Sequence, residues 1–181
     1  MIDAHRFEAF VQRYQDMVFA TAVRLLGNPA EAEDVAQTVF LRAFQRFEEI
    51  GSSPAVAGWL KTVTRNVCLN HLSRYRARWR FFSELGRPDE EDSVIDDEAA
   101  LRSESSPALE MEQADLREQL ERALRQLPDH QRVPLVLFHF EDASYQDIAD
   151  ALGVSLGKVK TDIHRGREAL RKLLSTGHAS R

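Results

Sequence analysis

Cysteine is almost missing from this sequence: Cys68 stands alone among 181 residues. That excludes an intrachain disulfide and a multi-cysteine metal site, and it favours a reducing compartment. Glycine and proline are sparse, at 8 and 6, too few for a turn-rich all-β fold or a low-complexity chain. No apolar run approaches the roughly 18 residues of a membrane span. The first residues, MIDAHRFEAF, carry charge where a signal peptide would be apolar. A soluble, cytoplasmic protein with no membrane insertion is expected. The six histidines include no HExxH pair, and neither a Gly-rich phosphate loop nor GxSxG occurs. No enzyme, metal site or small-molecule cofactor is therefore expected. Glu31, Glu33 and Asp34 suit the dipole of a helix start better than a metal, and Cys68, between Val67 and Leu69, reads as a buried inert thiol.

What is present is an apolar fraction of 43% and a lopsided charge. The net charge is −5, yet residues 1–86 hold eleven Lys/Arg against nine Asp/Glu, and residues 116–181 hold the same numbers. Residues 87–115 hold two cations against eleven acids, a local balance of −9. That segment, RPDEEDSVIDDEAALRSESSPALEMEQAD, has the composition of a linker rather than of a folded core. The layout is two weakly basic domains on an acidic tether.

Hydrophobic spacing makes both domains helical. Phe7, Phe10, Val11, Tyr14, Val18, Ala22 and Leu25 recur at three and four residues up to Gly27. Asn28-Pro29-Ala30-Glu31 then offers an N-cap, a first-turn proline and a reciprocal capping acid. A second helix follows with Val35, Val39, Phe40, Ala43 and Phe47 as its stripe. Glu48 to Ala57 reads as a loop, and a third helix runs from about Gly58 into the low eighties, burying Leu60, Val63, Val67 and Leu72. Beyond the tether, Leu116, Leu120, Leu124 and Leu127 lead to Pro128. Asp129 is placed to cap a helix with Val133, Val136, Leu137 and Phe140 on its apolar side, and Pro134 near its first turn. Ser144 to Asp147 is a capping-box pattern before Ile148, Ala149 and Leu152, Gly153 supplies a corner, and Ser155 caps a last helix that buries Val159, Ile163 and Leu170. The expected fold class is all-α: an N-terminal helical bundle and a C-terminal helix–turn–helix joined by an acidic flexible linker.

Two constellations carry chemistry. SYQDIADALGVSLGKVKTDIHRGREAL has the form of a helix–turn–helix. Its second helix shows Lys158, Lys160, Thr161, His164, Arg165 and Arg167 away from the core. Such a face suits the major groove, where cations neutralise phosphate and Arg, Lys and Thr read base edges. The alternative is a solvated helix face, and Asp162 among the cations would repel phosphate. The third helix, GWLKTVTRNVCLNHLSRYRARWRFF, has six cations and no acid between Lys61 and Arg80, interleaved with Trp59, Tyr75, Trp79, Phe81 and Phe82. Thr62, Asn66, Asn70 and Arg74 form a polar stripe. Cations, aromatics and amides together are what single-stranded nucleic acid requires; the alternative is core aromatics, as for Trp59, and solvated arginines.

Together these residues resemble a bacterial RNA polymerase sigma factor of the extracytoplasmic-function type, over about residues 6–82 and 116–175. AEDVAQTVFLRAF resembles the family's polymerase-binding helix and GWLKTVTRN its promoter-opening helix. LRQLPDHQRVPLVLFHFEDASYQDIADALGVSLGKVKTDIHRGREAL resembles the domain that reads the upstream promoter element. The resemblance implies a sigma region 2-like domain at 1–84, a linker at 85–115 and a region 4-like domain at 116–178. It implies core RNA polymerase and promoter DNA as partners, duplex at −35 and single-stranded non-template strand at −10, and an anti-sigma protein that restrains the factor. Asp34, Gln37, Phe40 and Arg42 would dock on the coiled coil of the polymerase's largest subunit. The loop Gly51 to Ala57, with Ser52 and Ser53, would take up a flipped −10 base. Trp59, Lys61, Arg65, Asn66, Asn70 and Arg74 would line that strand, and Lys158, Lys160, Thr161, His164, Arg165 and Arg167 would face the −35 element. The tether would run toward the RNA exit path, its charge standing in for RNA. Thr38 stands where the family commonly has an acid, and Asp162 and His164 replace commoner basic and aromatic choices. No further regulatory domain is expected after the last helix. A stand-alone two-domain helix–turn–helix regulator is the alternative function.

Overall fold

The structure, a computed structural model, describes residues 3–73 and 107–178. Among them are helices and no strands, gathered into two compact units. None of these helices is long and apolar enough to cross a membrane.

In the first unit, α1 (Ala4–Leu26) and α2 (Pro29–Gln45) pack on each other and on α4 (Val56–His71), with a single turn, α3 (Phe47–Ile50), before the last. The local signals act as the sequence implies. Gly27 ends α1 at φ 68° with its N–H on the Val23 carbonyl at 2.8 Å, and Asn28 Oδ1 accepts the amides of Ala30 and Glu31. Ala22, Ala32 and Ala43 are fully buried where helices meet, and small side chains there let the axes approach closely. Glu31 does not act as the reciprocal cap. Its carboxylate lies 3.7 Å from His71 Nε2, so the acid at the start of α2 faces the imidazole at the end of α4, both on the side their helix dipoles favour.

The expected loop from Glu48 to Ala57 is shorter than the composition suggests. Phe47 and Ile50 are both buried, and Phe47 packs edge-on against Phe7 and Phe10 at 5.1 and 5.3 Å. That burial holds a helical turn which Gly, Ser and Pro alone do not specify, and it moves Phe47 out of the α2 stripe. Ser53 Oγ accepts the Ala55 amide at 3.2 Å, and α4 starts at Val56 rather than Gly58. Thr64 and Cys68 are wholly buried on α4, while Val63 is only half-buried; Thr64 satisfies its hydroxyl on the Leu60 carbonyl at 2.7 Å. Everything the sequence places on this helix beyond Ser73, including Arg74, Tyr75, Trp79, Phe81 and Phe82, lies outside the described residues.

The second unit is α5 (Pro107–Gln126), α6 (Asp129–His139), α7 (Tyr145–Leu152) and α8 (Leu156–His178). Helix α5 begins inside the acidic segment, well before Leu116. Along its stripe burial rises from Leu116, 51% exposed, to Leu124 and Leu127, which are buried. Asp129 does not cap α6: Pro128 holds that position, and Asp129 instead pairs with Arg132. Pro134 is buried within α6 without ending it. The Ser144–Asp147 box forms in both directions, Ser144 Oγ accepting the Asp147 amide at 3.1 Å and Asp147 Oδ2 the Ser144 amide at 3.4 Å. Gly153 turns the corner at φ 66°, and Ser155 Oγ caps α8 through the Lys158 amide at 3.2 Å.

Candidate nucleic-acid interface

Helix α8 presents its charge unevenly. Lys160, Thr161, His164 and Arg165 are exposed. Lys158 is largely covered, with its ammonium 2.7 Å from the carboxylate of Asp162, which is 5% exposed. Asp162 therefore points inward and neutralises one lysine; it does not sit among the outward cations as the bare order of residues suggests. Arg167 leans toward α6, its Nε donating to His139 Nε2 at 3.1 Å and its guanidinium 5.6 Å from the Phe138 ring centroid. His164 Nε2 is 3.6 Å from Glu168 Oε1. The exposed centre of this face is thus Thr161, His164 and Arg165, with Lys160 and Arg167 on one flank and Lys158 withdrawn.

Two histidines of α6, next to this helix, are held below the usual histidine range. Burial lowers His130 first; Asp162 and Asp129 raise it, while Lys158 and Arg165 lower it further. Burial, then Arg167, lowers His139. Sequence reasoning missed Arg132, which is 3% exposed, donates from Nη1 to the Leu127 carbonyl at 2.8 Å and pairs through Nη2 with Asp129. It ties the end of α5 to the start of α6, and only the spacing Asp129-x-x-Arg132 hints at it. Phe138, His139 and Tyr145 were likewise unmarked as neighbours of the basic face.

On the first unit, Lys61, Thr62, Asn66 and Asn70 are exposed along α4 and Arg65 is half-buried, so the polar stripe is an accessible one. Thr62 returns its hydroxyl to the Gly58 carbonyl at 3.0 Å. In the loop, Ser52 is exposed and accepts Arg6 Nη2 at 3.4 Å, whereas the Ser53 hydroxyl is occupied by the Ala55 amide just ahead of α4. Trp59 is half-buried, and the Arg46 guanidinium sits 5.9 Å from its ring centroid, itself held by Glu49 at 2.8 Å. The Trp59 ring thus already has a cation beside it from within the protein.

On α2, Asp34, Gln37 and Arg42 are exposed and Phe40 is half-buried. Beside them stand two apolar side chains that sequence reasoning missed, Leu41 at 65% and Phe44 at 44% exposure, the latter edge-on to Phe7 at 5.0 Å. Thr38 gives its hydroxyl to the Asp34 carbonyl at 3.0 Å. Beside this face Phe40, Ala36 and Gln37 of α2 meet Val11 and Phe19 of α1 in an open cleft of about 480 Å³ edged by Asp16 and Glu33. Among the described residues no group of three or more His, Cys, Asp or Glu side chains could hold a metal ion.

Comparison with known proteins adds two family matches. The family model for sigma-70 region 2 matches residues 10–79, and that for sigma-70 region 4 matches residues 117–170. The chain is 29% identical over 180 residues to the ECF RNA polymerase sigma factor SigW of Bacillus subtilis, covering 95% of this chain and 90% of that one. It is 32% identical over 178 residues to the RNA polymerase sigma-H factor of Pseudomonas aeruginosa, covering 95% and 88%. With the ECF RNA polymerase sigma factor SigL of Mycobacterium tuberculosis it shares 31% over 173 residues, covering 95% and 90%.

Proposed function

The chain belongs to the sigma-70 family, as an alternative RNA polymerase sigma factor of the extracytoplasmic-function type, and on that premise we propose how its helices divide the work of initiation. The first domain, 1–84, docks on core polymerase through Asp34, Gln37, Phe40 and Arg42 of α2 and opens the −10 element with α4. The second, 116–178, reads the −35 duplex with α8. The acidic segment at 85–115 joins them. The family is one of initiation factors, and phosphodiester chemistry stays with the polymerase; this chain acts by binding alone, in the cytoplasm, without metal or cofactor. An anti-sigma protein restrains it.

The observation that most supports the polymerase-dependent reading is the exposure of Leu41 on α2 beside Asp34 and Gln37, next to Phe44, which packs edge-on against Phe7 and is still 44% exposed. Exposed apolar side chains next to polar ones mark a surface for a protein partner, which the polymerase-dependent reading supplies and a regulator acting as a monomer on duplex does not. Melting follows from α4. Extruding a base costs a few kcal/mol, and the sum is returned by stacking, at about 1–3 kcal/mol per base, and by the amides of Asn66 and Asn70 bonding to base edges. Lys61 and Arg65 offset the phosphates of the same strand.

Run-off transcription with core polymerase on the protein's own upstream region tests this. Transcripts are expected to require the protein and to fall about tenfold or more with Asn66→Ala/Asn70→Ala. Absence of core binding would return the chain to the stand-alone regulator, and transcripts indifferent to the double change would remove the melting role of α4.

A further inference from the structure

Phe138 lies in the last turn of α6 and Tyr145 opens α7. Their rings are stacked, centroids 4.6 Å apart and planes 11° from parallel. Helix α8 brings a cation to each: Lys160 Nζ lies 5.9 Å from the Tyr145 centroid and the Arg167 guanidinium 5.6 Å from that of Phe138. Arg167 is fastened a second time by the bond from its Nε to His139 Nε2, which requires a neutral imidazole with its lone pair on that nitrogen. Lys160 and Arg167 are two helical turns apart and share one stripe of α8. Thr161, His164 and Arg165 are exposed beside it. The ladder is peripheral to the core, with Phe138, Tyr145 and Arg167 half-buried and His139 and Lys160 exposed.

We propose that Phe138, His139 and Tyr145 are positioning residues for promoter binding: they hold Lys160 and Arg167 at the flank of α8, where the two cations clamp the sugar–phosphate backbone while Thr161, His164 and Arg165 meet base edges. The inference rests on the reading of α7 and α8 as the −35 helix–turn–helix. Long basic side chains lose rotamer freedom when they grip a phosphate, and ordering them beforehand removes that loss from the binding step. An aromatic face orders a cation without cancelling its charge. A carboxylate does cancel it, and Lys158, spent on Asp162 at 2.7 Å, is the contrast on the same helix. Backbone contacts contribute affinity and salt dependence but carry no sequence information, so the platform governs how tightly the duplex is held and leaves the choice of sequence to its neighbours.

The test uses the full chain assembled with core polymerase, titrated over a range of KCl onto a fluorescent duplex of its own upstream region and onto versions changed one base pair at a time. Phe138→Leu/Tyr145→Leu is expected to weaken binding about three- to tenfold on every duplex and to lower the log–log salt slope by about one to two. It should add little to Lys160→Ala/Arg167→Ala. His139→Ala should weaken binding uniformly in the same way, with rescue by His139→Gln, which keeps an acceptor. If the leucine pair unfolds, as melting would reveal, His139→Ala at its exposed position carries the test alone. Platform variants that match wild type in affinity and salt slope overturn the proposal, as does a loss confined to particular base pairs. Arg165→Ala without effect on any duplex would instead remove the helix–turn–helix reading beneath it.

Discussion

Leu41, at 65% exposure, contributes almost nothing to the core of its own unit. Leu41→Ala should therefore shift unfolding by no more than about 0.5 kcal/mol, whereas the same change at the fully buried Leu60 costs about 2–5 kcal/mol. Against core polymerase the order is expected to reverse, because an exposed apolar side chain on the same helix as Asp34 and Gln37 is placed to be desolvated by a partner. Binding of labelled core polymerase is expected to weaken about tenfold with Leu41→Ala at an unchanged melting temperature. Undiminished binding would move the docking face off α2. The signal was available in the sequence, since Leu41 falls off the Val35–Val39–Ala43 stripe, yet an apolar residue in a helix is read as core until its angle is checked. Arg132 deceives in the opposite sense. A charged residue is read as solvated, and locally only the spacing from Asp129 hints that this one is buried to 3% to close the carbonyl end of α5. Asp162 is the same lesson with the sign of charge reversed.

Elements divide by whether their boundaries are set locally. Gly27, Asn28, Gly153, Ser155 and the Ser144–Asp147 box were legible because a cap needs only three or four neighbouring residues. Helix α3, the early start of α4 and the reach of α5 back to Pro107 were not; for the first, the cause is burial of Phe47 and Ile50 against helices distant in sequence. Packing between elements also separates two glycines of α8 that look alike in sequence. A Cβ on Gly157 would meet nothing within 4 Å, while one on Gly166 would lie 3.2 Å from Leu135 Cδ1 and 3.3 Å from the Gln131 carbonyl oxygen. Gly157→Ala should raise stability by up to about 0.5 kcal/mol through helix propensity. Gly166→Ala should lower it by about 1 kcal/mol, since the carbonyl yields only if α6 moves as a whole. Opposite shifts in the urea midpoint are the expected result, and two increases would mean that α6 yields freely. The low-titrating histidines contribute a pH dependence to the same pair of helices. Unfolded His130 and His139 take up protons near pH 6.5, folded ones only lower. Stability contributed by keeping them neutral is full above about pH 6.5 and is lost as the pH falls through the depressed folded values. Urea unfolding at pH 7.5 and 5.5 should show this loss, reduced in His130→Gln/His139→Gln; equal pH dependence in both would assign it to other groups.

At the scale of the molecule, the net charge of −5 conceals two weakly basic halves around a segment of −9. Composition made that layout legible at once, because charge sums need no fold. It also separates binding by the free protein from binding within polymerase. A polyanionic segment carried by the same chain is expected to compete with DNA for the exposed cations of α4 and α8 and to repel phosphate at close range, an effect screened over about 8 Å at physiological salt. On that expectation, free protein should be held off non-specific duplex until polymerase joins. Replacing the acids between Asp89 and Glu104 with Asn and Gln leaves every described helix untouched and removes most of that charge. The substituted protein should bind a random-sequence duplex about tenfold more tightly at 50 mM KCl, with the advantage gone by about 0.5 M, where exposed charges are screened within a few ångströms. Run-off transcription in parallel separates two roles of the segment. Tighter free binding with initiation intact makes the acids a guard against stray DNA alone. Tighter binding with initiation impaired adds a role inside the polymerase, where the negative charge would stand in for RNA. Free binding unchanged at low salt would show that the acids never meet the cations, leaving the halves to engage DNA as independently charged bodies.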